Sequence, residues 1–162
     1  MSELSDEELD RYARHIVLPE VGGVGQRRLK AARVAMVGAG GIGSAAIPAL
    51  AGAGVGKLTI IDDDVVDRSN LHRQTIFRDD QVGQGKAAMA ADYVRALNPD
   101  VEAEAVEARL DAGNAEALLV GHDLILDGCD NFATRLVVGD TATRLRIPLV
   151  SAAAIQFQGQ VA

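Results

Sequence analysis

The residues of this chain that could do chemistry are a cluster of glycines, one well-placed aspartate and a set of scattered cations. Gly38, Gly40 and Gly43, with Gly41 between them, spell G-x-G-x-x-G inside V-A-M-V-G-A-G-G-I-G-S. In this pattern the first glycine allows a tight turn and the second lets backbone approach a phosphate. The third lets a helix lie close on the preceding strand. Amides at the start of that helix then point at the phosphates. Asp62 lies 24 positions after Gly38, at the end of the next apolar run K-L-T-I-I. A carboxylate there can accept hydrogen bonds from ribose hydroxyls. A strand–helix turn without a ligand would use the same glycines.

A dinucleotide site needs little more than this, yet the chain holds more. The polar stretch after Asp62 carries Asp64, Ser69, Asn70, Leu71, Arg73 and Gln74. Lys86 stands in G-Q-G-K-A, Arg14 near the N-terminus, and Asp130-Asn131 just after D-L-I-L-D. A triphosphate carries about four negative charges, whereas Arg14, Arg73 and Lys86 supply positive ones. Two unit charges 4 Å apart at an effective dielectric of about 20 interact by about 4 kcal/mol, so a bare carboxylate is costly beside phosphate. Asp62 therefore belongs at the ribose end. Asp130 can face phosphate only through a metal, which makes it the candidate magnesium ligand. The diphosphate of NAD needs fewer cations. Structural readings stand beside each of these. Asn70 and Gln74 can be loop residues bonding their own backbone, Lys86 a solvated helix residue, and Arg14 a surface arginine. Asp130 can cap the following helix. His15, His72 and His122 read as structural or exposed, and Cys129 as packing rather than nucleophile.

The elements that must hold these residues are legible from periodicity and punctuation. Ser5 with Glu8 forms a capping box that starts a helix running to about Val17, ended by Pro19. Gly22, Gly23 and Gly25 mark a loop before a short basic helix, Gln26 to Ala31. Strand 33–37, helix 42–53 and strand 57–62 follow, then a long polar loop over 63–80. A loop of that length in a compact domain usually has a function. A helix spans about 84–97, stopped by Asn98-Pro99, and residues 101–108 alternate as a half-exposed strand. A helix at 114–120, a buried strand at 123–127, a helix at 132–146 and a strand at 148–151 complete the pattern. Such alternation predicts an α/β fold. It is a Rossmann-like, doubly wound, mostly parallel sheet (32–162) with an N-terminal helical extension (1–31), all one domain. Residues 158–162 read as the start of a further strand without a partner, so the chain reads as truncated on its C-terminal side.

Composition narrows the function classes. The chain has 162 residues, enough for a domain that buries roughly 70% of its unfolded surface. Aromatic residues make up 3% and Trp is absent, so Ala, Val, Leu and Ile must build the core. No apolar run reaches the ~18 residues of a membrane span, and the acidic N-terminus lacks the features of a signal peptide. The net charge of −7 argues against a nucleic-acid partner. A single cysteine excludes an internal disulfide framework and fits a reducing cytoplasm. One cysteine and three scattered histidines cannot make a zinc cluster.

Taken in order, R-Y-x-R at 11–14, G-x-G-G-x-G at 38–43, D-x-D at 62–64, S-N-L-x-R-Q at 69–74, G-x-x-K-A at 83–87 and D-N at 130–131 resemble the MoeB/ThiF family. These are bacterial relatives of ubiquitin-activating enzymes, and the molybdopterin-synthase adenylyltransferase branch matches most closely. The resemblance implies an adenylyltransferase that uses ATP and magnesium. Its partner would be a small ubiquitin-like sulfur carrier, whose C-terminal glycine carboxylate it activates with release of pyrophosphate. Asp62 would hold the ribose, Asn70, Arg73 and Lys86 the phosphates, and Asp130 the magnesium. Arg14 would reach across a homodimer into the neighbouring site. His15 stands where the family usually has Gln, and Gly128-Cys129 where Cys-Thr or Cys-Ser is common. Family members continue with two C-x-x-C pairs that bind zinc, a crossover loop and a surface for the carrier tail, none of which these residues contain. Two other readings share the fold: an NAD-dependent oxidoreductase, and a dimeric nucleotide-binding module without catalysis. An adenylyltransferase acting on a tRNA base is disfavoured by the negative charge.

Overall fold

A computed structural model describes residues 3–162. Six strands form one sheet in the order β3-β2-β1-β4-β5-β6. These are β1 (Arg33–Val37), β2 (Lys57–Ile61), β3 (Glu102–Val106), β4 (Leu124–Asp127), β5 (Leu149–Ile155) and β6 (Gln158–Val161). The first five are parallel, and β6 runs antiparallel to β5. The chain steps outward from β1 to β2 and β3, then returns to place β4 on the other side of β1. That reversal opens a crevice beyond the carboxyl ends of β1 and β4, where open α/β sheets bind ligands.

Both faces of the sheet are covered, which is why β1 and β2 are nearly all apolar. On one face Val34, Met36, Leu58 and Ile60 meet α4 (Gly41–Ala53) and α5 (Lys86–Leu97). On the other, Ala35, Val37, Ile61 and Ile125 meet α6 (Ala115–Leu119) and α7 (Phe132–Leu145). The helices contribute mainly small residues, Ala51, Ala87, Ala90 and Ala91 on one face and Ala115 and Ala142 on the other. At the edge, β3 alternates as its sequence predicts: Glu102 and Glu104 face water while Ala103 is buried.

The N-terminal extension lies across the far end of this sheet. Ser5 and Glu8 complete the capping box of α1 (Asp6–Arg11). The helix does not run unbroken to Val17. It turns at Tyr12 and resumes as α2 (Ala13–Ile16), because the Tyr12 ring is buried and its hydroxyl accepts a hydrogen bond from Asn98 Nδ2 at 2.8 Å. Gly22, Gly23 and Gly25 are not a loop. They form the first turns of α3 (Gly22–Ala31), where a side chain at 25 would crowd Val21 Cγ1 at 3.0 Å. The C-terminal strand is also not partnerless. β6 pairs with β5 along its length, and β5 extends past Ser151 to Ile155 to meet it.

Candidate functional site

The glycine loop leaves β1 at Gly38, whose φ of +91° a residue with a side chain rarely adopts. A methyl group there would also lie 3.1 Å from Cys129 N, on the neighbouring loop after β4. At Gly43 a methyl group would run into the carbonyl oxygen of Gly38, so the helix sits directly on the turn. Gly40 caps α4 without a side chain. Amides at the start of this 13-residue helix therefore face the crevice, and the cradle is one that any Cβ would fill.

Asp62 follows β2 at the same edge. Its Oδ2 accepts from Ala39 N at 2.7 Å, and its Oδ1 accepts from Asp64 N at 2.9 Å. A carboxylate has about four lone-pair sites, so two remain for ribose hydroxyls. Burial pushes the carboxyl above its ordinary 3.8, partly offset by the two amides and the Lys86 charge. Asp62→Ala should therefore weaken ATP and AMP alike, by roughly 1.5–3 kcal/mol in calorimetry. Wild-type affinity should fall on acidification at a pH above that for an exposed aspartate, as the acceptor loses its charge. A loss confined to ATP would place Asp62 beside the phosphates instead.

The polar stretch after Asp62 folds back over the loop. Its stem is closed by a bridge between Val65 and Gly85 and by Lys86 N donating to Asp64 O at 2.9 Å. Within it, Asp67 caps a 3₁₀ turn, Arg68–Asn70, and takes the Ser69 hydroxyl, which gives Ser69 a turn-forming role. The Arg73 side chain lies 3.7 Å from where a Gly41 Cβ would be, and Gln74 Nε2 lies 3.8 Å from that of Gly40. Gln74 is 3% exposed, and its Oε1 has no partner among the described residues. Among the described residues neither the Asn70 nor the Gln74 side chain has a hydrogen bond to its own loop's backbone. A buried acceptor without a partner marks a place where a ligand or water completes the site. Arg73 is exposed, with His72 Nε2 at 3.2 Å.

Lys86 is not a solvated helix residue. It is 5% exposed at the first position of α5, where the helix dipole disfavours a cation. Its Nζ donates to Asp64 Oδ2 at 2.8 Å, and that carboxylate is 70% exposed. Asp130 is exposed, with no side-chain partner among the described residues. Asn131, also a candidate ligand, is the cap of α7: its Oδ1 accepts from Ala133 N at 2.9 Å and Thr134 N at 3.1 Å. The capping role open to Asp130 in the sequence therefore belongs to its neighbour.

Arg14 is held far from the crevice. Tyr12 packs against Gly54, and His15 Nδ1 lies 3.2 Å from Gln26 Oε1, whose Nε2 donates to Ala53 O at 2.8 Å. Gly54 and Ala53 end α4, about 20 Å along the helix from the glycine loop at 1.5 Å per residue.

Residues 12–162 match the ThiF family. The chain belongs to that family. Its relatives include the SAMP-activating enzyme E1 of Haloferax volcanii, 52% identical across 94% of this chain and 57% of that protein. The molybdopterin-synthase adenylyltransferase of Salmonella typhimurium is 47% identical across 99% of this chain and 65% of that protein. The chain spans between 32% and 65% of the length of the curated relatives it is compared with. The structure of E. coli tRNA N6-threonylcarbamoyladenosine dehydratase in complex with ATP superposes with a TM-score of 0.87 at 29% identity. The match covers 96% of this chain and 65% of that one.

Against this ThiF-family background the unusual Cys129 is quiet. Burial, then Asp127, push its thiol up to about 12, so it stays protonated and is no nucleophile at neutral pH. Among the described residues no group of three or more His, Cys, Asp or Glu is placed to hold a metal. A magnesium ion held between a triphosphate and protein needs only one or two carboxylates, a demand Asp130 can meet. The reading by residue type missed the buried Asp127 and its partners Ser151 and Arg135, which join β4, β5 and α7 beside Asp130. No motif links them along the chain; they meet because β4, β5 and α7 pack together.

Proposed function

We propose that this ThiF-family chain is the nucleotide-binding part of an ATP-dependent adenylyltransferase. Its substrate would be the C-terminal carboxylate of a small ubiquitin-like sulfur carrier, of the kind used in molybdopterin or thiamine biosynthesis. The observation that carries this reading is the convergence of Asp62, Arg73, Gln74 and buried Lys86 on one glycine cradle. That constellation sets two cations, Arg73 and Lys86, beside the cradle, with Lys86 already paired to Asp64. Relatives named as adenylyltransferases and a neighbour solved with ATP support it.

In this reading the glycine amides and Asn70 orient the phosphates and Asp62 the ribose. The carrier carboxylate attacks the α-phosphorus and pyrophosphate leaves, with no protein nucleophile. Charge growing on the phosphoryl oxygens is met by Arg73 and Lys86, held in place before reaction. Magnesium, when bound at Asp130, would neutralise part of the phosphate charge. Arg14, exposed on a helix held far from its own crevice, acts on the pyrophosphate of the other subunit in a homodimer. Both substrates and this chemistry belong to the cytoplasm.

Calorimetry with ATP–magnesium and with NAD separates this from the oxidoreductase reading. ATP should bind more tightly by at least ~10-fold, about 1.4 kcal/mol, because in this reading its extra phosphate meets magnesium and Arg14 of the other subunit, which NAD would leave unused. Equal or tighter binding of NAD would sink the adenylyltransferase reading.

A further inference from the structure

β4 ends on Asp127, which is 2% exposed, and a buried carboxylate must be paired. Its Oδ1 accepts from Cys129 N at 3.1 Å, and its Oδ2 accepts from Ser151 Oγ at 2.8 Å. Arg135 Nε stands 3.4 Å from the same Oδ2. Arg135 reaches back from the first turn of α7, and its Nη2 donates to Cys129 O and to Ala152 O, each at 2.7 Å. One guanidinium thus ties together the end of β4, the turn after it, the start of α7 and β5. Elsewhere the turn is held by Gly128 N donating to Val37 O at 2.9 Å, by Gly38 packing against it and by the Asn131 cap.

The carbonyl that Arg135 grips belongs to the residue immediately before Asp130. The Asp130 side chain has no partner of its own among the described residues, so the main chain at 129–131 alone sets its direction. The geometry points to Arg135 as a positioning residue for Asp130, acting through Cys129 O with Asp127 and Ser151 as its support. This rests on the reading of Asp130 as the magnesium carboxylate. Arg135 commits both Nη2 hydrogens to two carbonyls and turns Nε to a carboxylate, which fixes the guanidinium against the 129 turn and β5. Only a planar fork can meet all three at once; a lysine ammonium, a single point of charge, cannot.

Arg135→Lys in the complete enzyme tests the role while keeping the charge. Supporting groups of this kind typically cost 10–100-fold in metal affinity when removed. The magnesium concentration giving half-maximal ATP binding, read by calorimetry, should rise by at least ~10-fold. Affinity for metal-free AMP should stay within about twofold, and amides 128–131 should exchange hydrogen faster. Asp130→Asn is measured alongside. If Asp130→Asn shifts the magnesium requirement and Arg135→Lys does not, the positioning role is overturned. If neither shifts it, the magnesium reading of Asp130 has failed instead. Should Arg135→Lys not fold, Ser151→Ala removes one support of Asp127. It should move the requirement roughly threefold in the same direction, and no movement overturns the proposal.

Discussion

Asp130→Asn is expected to lower carrier-dependent exchange of pyrophosphate into ATP by at least ~10²-fold in a complete enzyme, equivalent to about 2.7 kcal/mol of transition-state stabilisation. The substitution keeps the shape of the side chain and removes its charge. Beside a triphosphate a bare carboxylate is repulsive, and a cation between them reverses the sign. Asp130 stands exposed after the strand that borders the crevice, within one residue of the contact between Cys129 and Gly38. Because Asn131 caps α7, an effect at Asp130 cannot be assigned to a lost cap. Binding of AMP without metal should change far less than exchange. Exchange near the wild-type rate would exclude a metal-holding role.

The second large effect concerns two chains. Arg14→Ala and Lys86→Ala should each cut adenylation by ~10²-fold or more, the usual loss for a group that meets developing charge. Mixed together, they should recover about a quarter of wild-type activity, since random pairing in a twofold dimer leaves one intact site in each mixed pair. The structure gives this expectation its force. Tyr12 and His15 hold α2 against the end of α4 far from its own glycine loop, which leaves Arg14 exposed at that end. No recovery, with subunit exchange demonstrated, would mean that Arg14 serves no neighbouring site.

Much of the fold could be read from residues because its core obeys simple periods. The apolar runs of β1 and β2, the G-x-G-x-x-G turn and the alternation of β3 each report one local environment. The positions of Asp62 and Lys86 follow from the same local cues, since one ends the run of β2 and the other opens α5. Where the reading failed, tertiary contacts overrode local preference. The glycines at 22–25 open a helix whose Gln26 is buried and donates to Ala53 O at the end of α4. The extension of β5 runs through Ser151-Ala-Ala-Ala, residues with little strand preference, and is held by pairing with β6. It turns on Gln156, whose φ of 51° no propensity would assign to it. Asp127, Ser151 and Arg135 meet only after the sheet has closed, so no window along the chain contains their relationship.

The pairing of Lys86 with Asp64 bears on how the site responds to salt. A cation waiting bare for phosphate would add its full charge to the ionic-strength dependence of binding. In the proposed function Lys86 would instead exchange one anionic partner for another, and Asp64, mostly in water, would be rehydrated as the phosphate arrives. The net charge brought against the nucleotide by that swap is smaller than a count of cations implies. Arg73, exposed and without a carboxylate partner among the described residues, carries the larger share of the screening. Affinity in the proposed site should therefore be buffered against changes in ionic strength, because one of its two charges is already neutralised before a ligand enters.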